Sequence, residues 1–503
     1  MKKLFFGLTF LILILLGAVY ALLFTSTGNS IVASIVESKV NNEKVINFKI
    51  NKFLLTTKEI EFDSTIDDNS NIKIIGDLSL FSKTVDIKFD INIKDLSKLQ
   101  RFTNQKLNGS FSTSGSFKGD STSAKLEGSS DIFKSKTTYD IDLENFEPSN
   151  ILFNVKSAKI DEILHLINKP RYAMGNLDIN ANISNAKLEN LNGEILTKIT
   201  NGLITNSLVN KDFNTKLIKK LNFNGTIKTN LEPFKALSKV DVYTSMANLF
   251  VKKADVNLKN MNIKSDYFLK VDDLSKLFDV TQTKMRGNIG IAGDIKKDKD
   301  LLVNGYSELL EGQLKFKLLN NDFSANIDNV EILKVLHMLY YPEIFTSKTK
   351  LKLDYNIAKE NGDLTGDLIN GQFKKNEYST IISSLARFDL TKEVYENIDL
   401  KSNINKNIIK STIKMNSKLS QIEVNPSVID TKNSIIDALV ITQIKGIKFD
   451  TKISGDLSNP SVKVDTKKLL ESGAKQKVKE KIQDTIEKKL GDKAGNILKG
   501  FFK

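Results

Sequence analysis

The chain has 503 residues, with 74 Lys and Arg against 60 Asp and Glu, and it contains no Cys, no Trp and two His. The absence of cysteine excludes disulfide scaffolds, cysteine-ligated zinc or iron–sulfur sites and thiol nucleophiles. Two histidines exclude a metal cage built from several of them. The content of hydrophobic residues, 40%, is too high for a disordered chain. We therefore expect a folded chain with no metal site and no cofactor.

The net charge of +14 comes from lysines that are dispersed along the chain. Only four basic residues are arginines, the side chains preferred for bidentate contacts to phosphates and base edges. No basic stretch is interleaved with the aromatic side chains that stack on bases. We expect a solvated lysine face and no nucleic-acid partner, whereas attraction to an anionic membrane surface remains open.

An uncharged apolar segment begins at residue 4 and ends at residue 24. As a helix it would span about 30 Å, the thickness of a bilayer's hydrocarbon core. Lys2 and Lys3 precede it, so the positive-inside rule places residues 1–3 in the cytoplasm and the bulk of the chain across the membrane. We predict a retained anchor, with a cleaved signal peptide as the alternative. The predicted anchor residues are Leu4, Phe5, Phe6, Leu8, Phe10, Leu11, Ile12, Leu13, Ile14, Leu15, Leu16, Leu22, Leu23 and Phe24.

Two amphipathic segments flank the body of the chain. The first follows the anchor and predicts a helix that continues it or lies at the membrane surface. Its apolar residues are Ile31, Val32, Ile35, Val36 and Val40. The second is the Lys-rich carboxyl end, whose helical stripe indicates a cap on the last strands, a membrane-surface helix or a docking helix for a protein partner. Its stripe consists of Val478, Ile482, Ile486 and Leu490.

From about residue 45 the dominant hydrophobic period is two, which is typical of strands with one apolar and one water face. The clearest run consists of Val85, Ile87, Phe89, Ile91 and Ile93. Seven Asn-Gly pairs, the first at Asn108-Gly109 and the last at Asn370-Gly371, are hairpin signals. Too few helical segments exist to cover a one-sided sheet, which must curl on itself, pair with another sheet or hold an apolar ligand. The predicted fold is mainly β, an elongated curled antiparallel sheet, and the five residues of the run are candidates for contact with lipid.

An internal repeat organises this body. The pentapeptide Asp95–Leu99 recurs unchanged at Asp273–Leu277, and glycines follow both copies at the same spacing. A second unit, marked by a Leu-His pair five residues before a proline, occurs at Leu164 and again at Leu336. The order is A, B, A′, B′, with pairs at about 90–265 and 265–440, and such repeats build elongated proteins. Helix N-caps are predicted at Asp95, Asp161, Asp273 and Asn329.

The repeat also bears on the two histidines and on the paired glycines. His165 and His337 occupy the same place in the two B units, so we interpret them as packing residues of a repeated corner rather than as catalytic groups. The glycines at 109, 115, 287 and 293 lack the Gly-Lys-Ser/Thr sequence of a phosphate loop, and we interpret them as structural. The sequence therefore predicts no catalytic residue.

The chain resembles the AsmA family of Gram-negative bacteria, which belongs to the repeated-β-groove, bridge-like lipid-transfer proteins. The resemblance rests on the Lys-flanked anchor running into an amphipathic helix and on the repeated strand–helix–Gly–strand unit. It also rests on a terminal strand with the motif Gly-x-Leu-x-Asn-Pro, Gly455 to Pro460, followed by a Lys-rich helix that ends in Gly500-Phe501-Phe502.

The resemblance implies a single-pass protein of the bacterial inner membrane with a cytoplasmic N-terminus. The corresponding parts are a tip (1–3), an anchor (4–24), a periplasmic β-groove domain (25–450) and a terminal strand with its helix (451–503). It implies a non-enzymatic role in outer-membrane homeostasis, with phospholipid acyl chains held along an apolar groove and an outer-membrane or periplasmic protein partner at the carboxyl-terminal helix. The alternative is a scaffold for outer-membrane protein assembly that transports no lipid.

Overall fold

A computed structural model describes residues 26–42, 46–67, 69–79, 82–100, 104–445 and 447–465 of the protein. The predicted cytoplasmic tip, the predicted anchor and the Lys-rich carboxyl-terminal helix lie outside these residues. Within the described part of the chain, no helix combines the length and the hydropathy needed to cross a bilayer.

The described residues are mainly β, as the alternating sequence predicted. Helices are short and are inserted between strands. The α-helices are α1 (Ser26–Asn41), α2 (Ile160–Leu166), α3 (Asn206–Phe213), α4 (Phe278–Thr281), α5 (Ile332–Met338) and α6 (Glu377–Ala386). Turns of 3₁₀ helix cover Leu96–Leu99, Ile132–Lys134, Leu188–Asn190, Leu274–Leu277 and Leu390–Lys392.

The chain divides into two compact units, Met1–Asp266 and Tyr267–Lys503. The division lies where the first predicted repeat pair gives way to the second, inside strand β14 (Ile263–Val271). The strands before it are β1 (Phe48–Leu55), β2 (Glu59–Ile66), β3 (Ser70–Ser79), β4 (Thr84–Ile93), β5 (Phe111–Gly119), β6 (Ser123–Ser130), β7 (Lys136–Glu144), β8 (Glu147–Lys159), β9 (Ala173–Asn185), β10 (Asn192–Ile204), β11 (Asn222–Glu232), β12 (Lys235–Thr244) and β13 (Asn248–Asn257). The strands after it are β15 (Ile289–Lys297), β16 (Leu301–Leu309), β17 (Gly312–Leu319), β18 (Asp322–Glu331), β19 (Phe345–Asn356), β20 (Asn361–Phe373), β21 (Tyr395–Asn405), β22 (Ile408–Asn416), β23 (Ser420–Asp430), β24 (Ile435–Ile444), β25 (Ile447–Asp456) and β26 (Ser461–Asp465).

Within each unit, successive strands pair in an antiparallel meander. In the first unit the pairing runs in order from β1 to β13. In the second unit it runs in order from β15 to β26. Sequential pairing needs only short connections, and it keeps the apolar face of one strand beside that of the next.

Each unit has its own dry core, built by only part of its strands. In the first unit, side chains of β1–β8 form a buried cluster that includes Phe62, Ile87 and Ile141. In the second unit, β20–β26 and α6 form another, around Tyr395, Ile398 and Phe449, each 0% exposed. Burial of these residues supplies most of the hydrophobic stabilisation of each unit.

The predicted A repeat recurs at the level of single hydrogen bonds. Asp95 caps its 3₁₀ turn by accepting from the Ser97 amide at 3.0 Å, and Asp273 accepts from the Ser275 amide at 2.9 Å. The predicted caps at these two aspartates are therefore confirmed.

The A and B units of each pair are joined in the same way. The amide of Asn108 donates to the carbonyl of Leu166 at the end of α2, and the amide of Arg286 donates to that of Met338 at the end of α5, both at 3.0 Å. Because each bond links a loop before a strand to a helix some fifty residues later in the chain, the A–B pair folds as one unit.

Two of the predicted helix caps are wrong. Asp161 lies inside the first turn of α2, whose N-cap is Lys159. Asn329 lies two residues before the true cap of α5, Glu331, and adopts a left-handed conformation with φ 61° at a β-bulge. In both copies a bulge at the end of the preceding strand moves the helix start beyond the position that the sequence pattern indicated.

The prediction that Asn-Gly pairs mark hairpins is correct for Asn192-Gly193 and Asn361-Gly362, which directly follow the β9–β10 and β19–β20 connections, and wrong for most of the others. Most of them lie within strands: Asn201-Gly202 and Asn370-Gly371 sit inside β10 and β20, with both asparagines at φ 53°. Gly305 in β16 shows why a glycine is needed within a strand. A Cβ there would lie 2.1 Å from Cζ of Phe316, its cross-strand partner, so the ring occupies the space that any other side chain would need.

The terminal Gly-x-Leu-x-Asn-Pro motif is not one strand: Gly455 and Asp456 end β25, and the rest of the motif forms a hairpin turn. It connects β25 to β26, and Asp456 accepts hydrogen bonds from the amide and hydroxyl of Ser458. The amide of Asn459 donates to the carbonyl of Asp456 at 3.1 Å. An Asp-x-Ser turn of this kind ends a strand because its side chain replaces the next ladder bond.

Helix α1 lies along β1, the first strand in the described part of the chain. Asn41 pairs with Phe48 as a strand would: its carboxamide donates to the Phe48 carbonyl and accepts from the Phe48 amide, both at 2.7 Å. Asn29 donates to the carbonyl of Leu55 at the other end of the strand. The predicted helix is therefore confirmed, but its apolar residues do not share one face: Val32 is buried, whereas Ile31 and Ile35 are about half exposed.

Candidate functional site: two half-buried aliphatic faces

One face of β9–β13 in the first unit carries only uncharged side chains. The register of these strands places its residues side by side across the sheet. We call this set the first aliphatic face. Its residues are Leu177, Ile179, Ala181, Ile183, Gly193, Ile195, Thr197, Ile199, Gly225, Ile227, Thr229, Leu231, Ala236, Ser238, Val240, Val242, Leu249, Val251, Ala254 and Val256.

The first aliphatic face is not covered as a core would be. Almost all of its large side chains are only half buried, with Val251 as the exception at 8% exposed. Helix α2 contacts β9, but no described helix packs extensively on β10–β13. A contiguous set of aliphatic side chains left partly exposed is uncommon on soluble proteins, which makes this face a candidate functional surface.

Two of the three hydroxyl groups on this face are satisfied by one another. The hydroxyls of Thr229 and Ser238 lie on paired strands, 2.8 Å apart, and share a hydrogen bond. A bonded pair costs far less to cover with an apolar group than two hydroxyls that have lost water. The face can therefore accept an apolar partner without leaving a polar group unpaired at these positions.

The second unit repeats the arrangement on β15–β19. Its face, which we call the second aliphatic face, is also half buried at most positions, and its one charged residue is Lys297, the exposed cross-strand partner of Leu301 at the end of β15. Its residues are Ile291, Gly293, Ile295, Leu301, Val303, Gly305, Ser307, Leu314, Phe316, Leu318, Phe323, Ala325, Ile327, Leu351, Leu353 and Tyr355. Helix α5 contacts β19 at one end of this set.

The opposite face of the same strands carries the charges. Lysines there pair with carboxylates on the same or neighbouring strands, as Lys239 does with Asp241 at 3.5 Å on β12 and Lys352 with Asp354 at 2.7 Å on β19. These ion pairs are largely exposed and contribute little to stability individually. They confirm the prediction of a solvated lysine face.

The residues predicted to face lipid lie elsewhere. Ile87, Phe89, Ile91 and Ile93 share one side of β4 as the alternation predicted, but they are 1–6% exposed in the first unit's dry core, with Val85 packed against them. Their contact with lipid stays a prediction. The half-buried faces of β9–β13 and β15–β19 are the more accessible candidates, and periodicity alone did not distinguish them from a core.

The two histidines occupy equivalent corners with different surroundings. The carbonyl of His165 accepts from the Asn168 amide, and that of His337 accepts from the Tyr340 amide, so the backbone repeats. The interpretation of His337 as a packing residue is wrong. Its side chain is 54% exposed, and its Nδ1 lies 2.7 Å from Oε1 of Glu343. In the described part of the chain, no cluster of His, Asp and Glu has the arrangement of a metal site.

A shallow cavity of about 500 Å³ lies on the polar face of β7–β10. Amide and carboxylate side chains line it, including Asn154, which donates to Asn180 at 2.7 Å, and Glu194 on the next strand. Neither histidine belongs to it. The cavity is open to solvent and separate from the aliphatic faces on the other side of the sheet.

No family model, no curated protein and no solved structure matches this chain. The resemblance to the AsmA family therefore stays a prediction from the residues that carry it. What the structure adds is a repeated antiparallel sheet with two aliphatic faces.

Proposed function

We propose that this protein handles phospholipid without catalysis, holding acyl chains against its two aliphatic faces. The observation that carries the proposal is the partial burial of an aliphatic face, uncharged except for Lys297, over five successive strands in each unit. A folded chain gains by covering such a face, since burial is worth about 25 cal/mol per Å² of apolar area. Within the described residues neither unit covers its own face, which leaves it free for an apolar ligand.

The size of each face suits an acyl chain. Five strands spaced about 4.8 Å apart extend over about 20 Å. One leaflet of a bilayer's hydrocarbon core is about 15 Å thick, so a single acyl chain can lie across the whole set of strands. Each methylene removed from water contributes about 0.8 kcal/mol, and the headgroup can remain in water at the edge of the sheet.

We further propose the inner-membrane anchor, the periplasmic location and the role in outer-membrane homeostasis that the AsmA resemblance implies. Support comes from α1, which follows the apolar segment 4–24 directly. Its outward residues Ile31 and Ile35 are 52% and 51% exposed, as expected of a helix that lies at a membrane surface. The protein partner at the carboxyl-terminal helix belongs to the same proposal.

The test is the lipid content of the full chain, purified without detergent and analysed by mass spectrometry. The paired substitution Ile227→Asn and Val240→Asn places amides in the middle of the first aliphatic face. We expect the fold to survive, because both side chains are half buried, and the amount of bound phospholipid to fall.

Two controls make the result interpretable. Lys228→Asn, on the opposite face of β11, should leave the lipid content unchanged. Ile87→Asn, in a dry core where this side chain is 1% exposed, should unfold the first unit rather than empty it. A wild-type chain that carries no phospholipid, but that crosslinks to outer-membrane assembly machinery, would reject lipid handling in favour of the scaffold role.

A further inference from the structure

Helix α3 and the segment that follows it present apolar side chains among lysines. We call residues 206–221 the α3 loop. Phe213 and Ile218 are 63% and 80% exposed, and Ile218 is the most exposed large hydrophobic residue in the described part of the chain. The same segment contains four lysines against one aspartate, and that aspartate accepts a hydrogen bond from the Tyr172 hydroxyl at 2.8 Å.

The α3 loop is held in this shape by its own asparagines. The Asn210 carboxamide donates to the Leu217 carbonyl and accepts from the Leu217 amide, at 3.0 and 2.7 Å. Asn206 donates to the carbonyl of Lys219 at 2.9 Å. Leu217 is thereby turned inward, at 8% exposed, and its neighbour Ile218 is turned outward. The exposed apolar residues thus belong to a turn that side-chain hydrogen bonds hold in one conformation.

The equivalent segment of the second repeat buries its apolar side chains instead of exposing them. Helix α6 follows β20 as α3 follows β10, but it packs Tyr378 and Ile382 into the second unit's core, at 8% and 0% exposed. Phe388, two residues after the end of α6, is buried as well, whereas Phe213 at the end of α3 is exposed. The segment 377–394 carries two basic residues against three acidic ones. The second copy of this segment therefore completes a core, whereas the first copy exposes apolar residues next to lysines.

We propose that the α3 loop docks on the surface of an anionic phospholipid bilayer. Phe213 and Ile218 enter the interfacial region, and Lys211, Lys216, Lys219 and Lys220 lie among the anionic headgroups. A lysine near an anionic membrane surface strengthens binding about fivefold, and an aromatic ring beside an aliphatic side chain is typical of interfacial insertion. A protein partner of neutral or basic character would not use this charge.

This contact differs from lipid binding by the aliphatic faces, since it needs a bilayer surface and no extracted lipid. It would give the first unit a membrane contact of its own, in addition to the predicted anchor. The α3 loop begins at the end of β10, beside the first aliphatic face, so docking would bring that face close to the lipid source.

The chain has no cysteine, so Ile218→Cys provides a single site for an environment-sensitive thiol dye. The full chain is first reconstituted in phosphatidylcholine nanodiscs, which take up its apolar N-terminal segment and keep it out of water. Vesicles of phosphatidylcholine with or without phosphatidylglycerol are then added. We expect a blue shift, and quenching by doxyl-labelled lipid, only with phosphatidylglycerol. A dye at Ser383→Cys, on the exposed side of α6, should not respond.

Charge variants complete the test. Replacing Lys216, Lys219 and Lys220 by Gln should weaken vesicle binding by roughly a hundredfold, at about fivefold per lysine. The matched triple of Lys198, Lys228 and Lys239, exposed on the polar face of the same unit, should change it far less. An equal response to both kinds of vesicle, or no response at position 218, overturns the proposal. So does a blue shift that grows with protein concentration before vesicles are added, which would assign the surface to a second copy of the chain.

Discussion

The Nζ atom of Lys134 lies 2.5 Å from Oε1 of Glu162, and the same ion pair recurs in the second repeat with its charges exchanged. There Glu311 accepts from Lys334. Lys134 and Glu311 both have a left-handed backbone at the end of a strand connection. Glu162 and Lys334 are both the third residue of their helix, α2 or α5. The repeat has kept the contact while neither position has kept its residue type.

Reversing one charge in either copy should destabilise the unit that contains it. Lys134→Glu places two carboxylates together at a site where Glu162, 15% exposed, cannot move freely into water. We expect a loss of about 1 kcal/mol in the free energy of unfolding, the upper end for a partly exposed pair. Lys334→Glu should have a smaller effect in the second unit, because Glu311 is 61% exposed and can turn its carboxylate into water. Chemical denaturation of the single variants measures both, and a loss no larger than that of the neighbouring control Lys136→Glu would contradict the prediction.

Alkaline pH should weaken the second unit through two buried tyrosines. Burial raises the pKa of Tyr395 to about 12 and also raises the pKa of Tyr378 above its usual range. Their hydroxyls share hydrogen bonds with Ser420 at 2.8 Å and Thr442 at 2.5 Å. The folded state therefore favours the neutral phenols, so their contribution is complete below the unfolded pKa of about 10 and is lost as the pH rises through the folded value.

The free energy of unfolding, followed by circular dichroism between neutral pH and about pH 11, should fall in the alkaline range. The double variant Tyr378→Phe and Tyr395→Phe should be less stable at neutral pH, because Thr442 loses the Tyr378 hydroxyl and Ser420 keeps only Ser417 as a hydroxyl partner, and it should show a shallower alkaline decline. An unchanged decline in the double variant would assign the effect to other groups.

Gly305→Val should disrupt the second aliphatic face. The added side chain would meet the Phe316 ring, which also stacks 5.6 Å from Phe323. Forcing the ring aside should cost about 1–3 kcal/mol, as overpacking does elsewhere. Thermal unfolding measures the loss, and Lys317→Val, an exposed change on the neighbouring strand, should alter stability by less than about 0.5 kcal/mol. Equal effects of the two substitutions would show that the ring is not held over the glycine.

Asn41→Ala should open the edge of β1. Phe48 would lose both backbone partners, which we expect to cost about 1–2 kcal/mol, and its amide proton should exchange with solvent much faster. The free edge would also favour pairing with another chain, measurable as concentration-dependent association. The adjacent change Asn42→Ala, at an exposed position, serves as the control. Slow exchange at Phe48 in the Asn41 variant would indicate that something other than this side chain protects the edge.

Local patterns predicted the local structure well where a short sequence suffices. The alternation of Val85 to Ile93 predicted β4 and the face its side chains share, and the pentapeptide at Asp95 predicted a capped turn in both copies. The Asn-Gly pairs misled because a glycine that makes room for an aromatic ring on the next strand looks the same in sequence as one that makes a turn. The signal that could have separated them is the aromatic residue itself, since Phe223 and Phe316 on the paired strands cover Gly202 and Gly305.

The sequence by itself determined the strands, their antiparallel order and the repeat, because period-two alternation and short connections are properties of neighbouring residues. Only the tertiary structure decided which apolar faces are buried. Ile87 on β4 and Ile227 on β11 belong to equally regular alternating strands, yet one is 1% exposed and the other is half buried. Burial depends on what the rest of the chain places over a face, and no property of the strand itself records that.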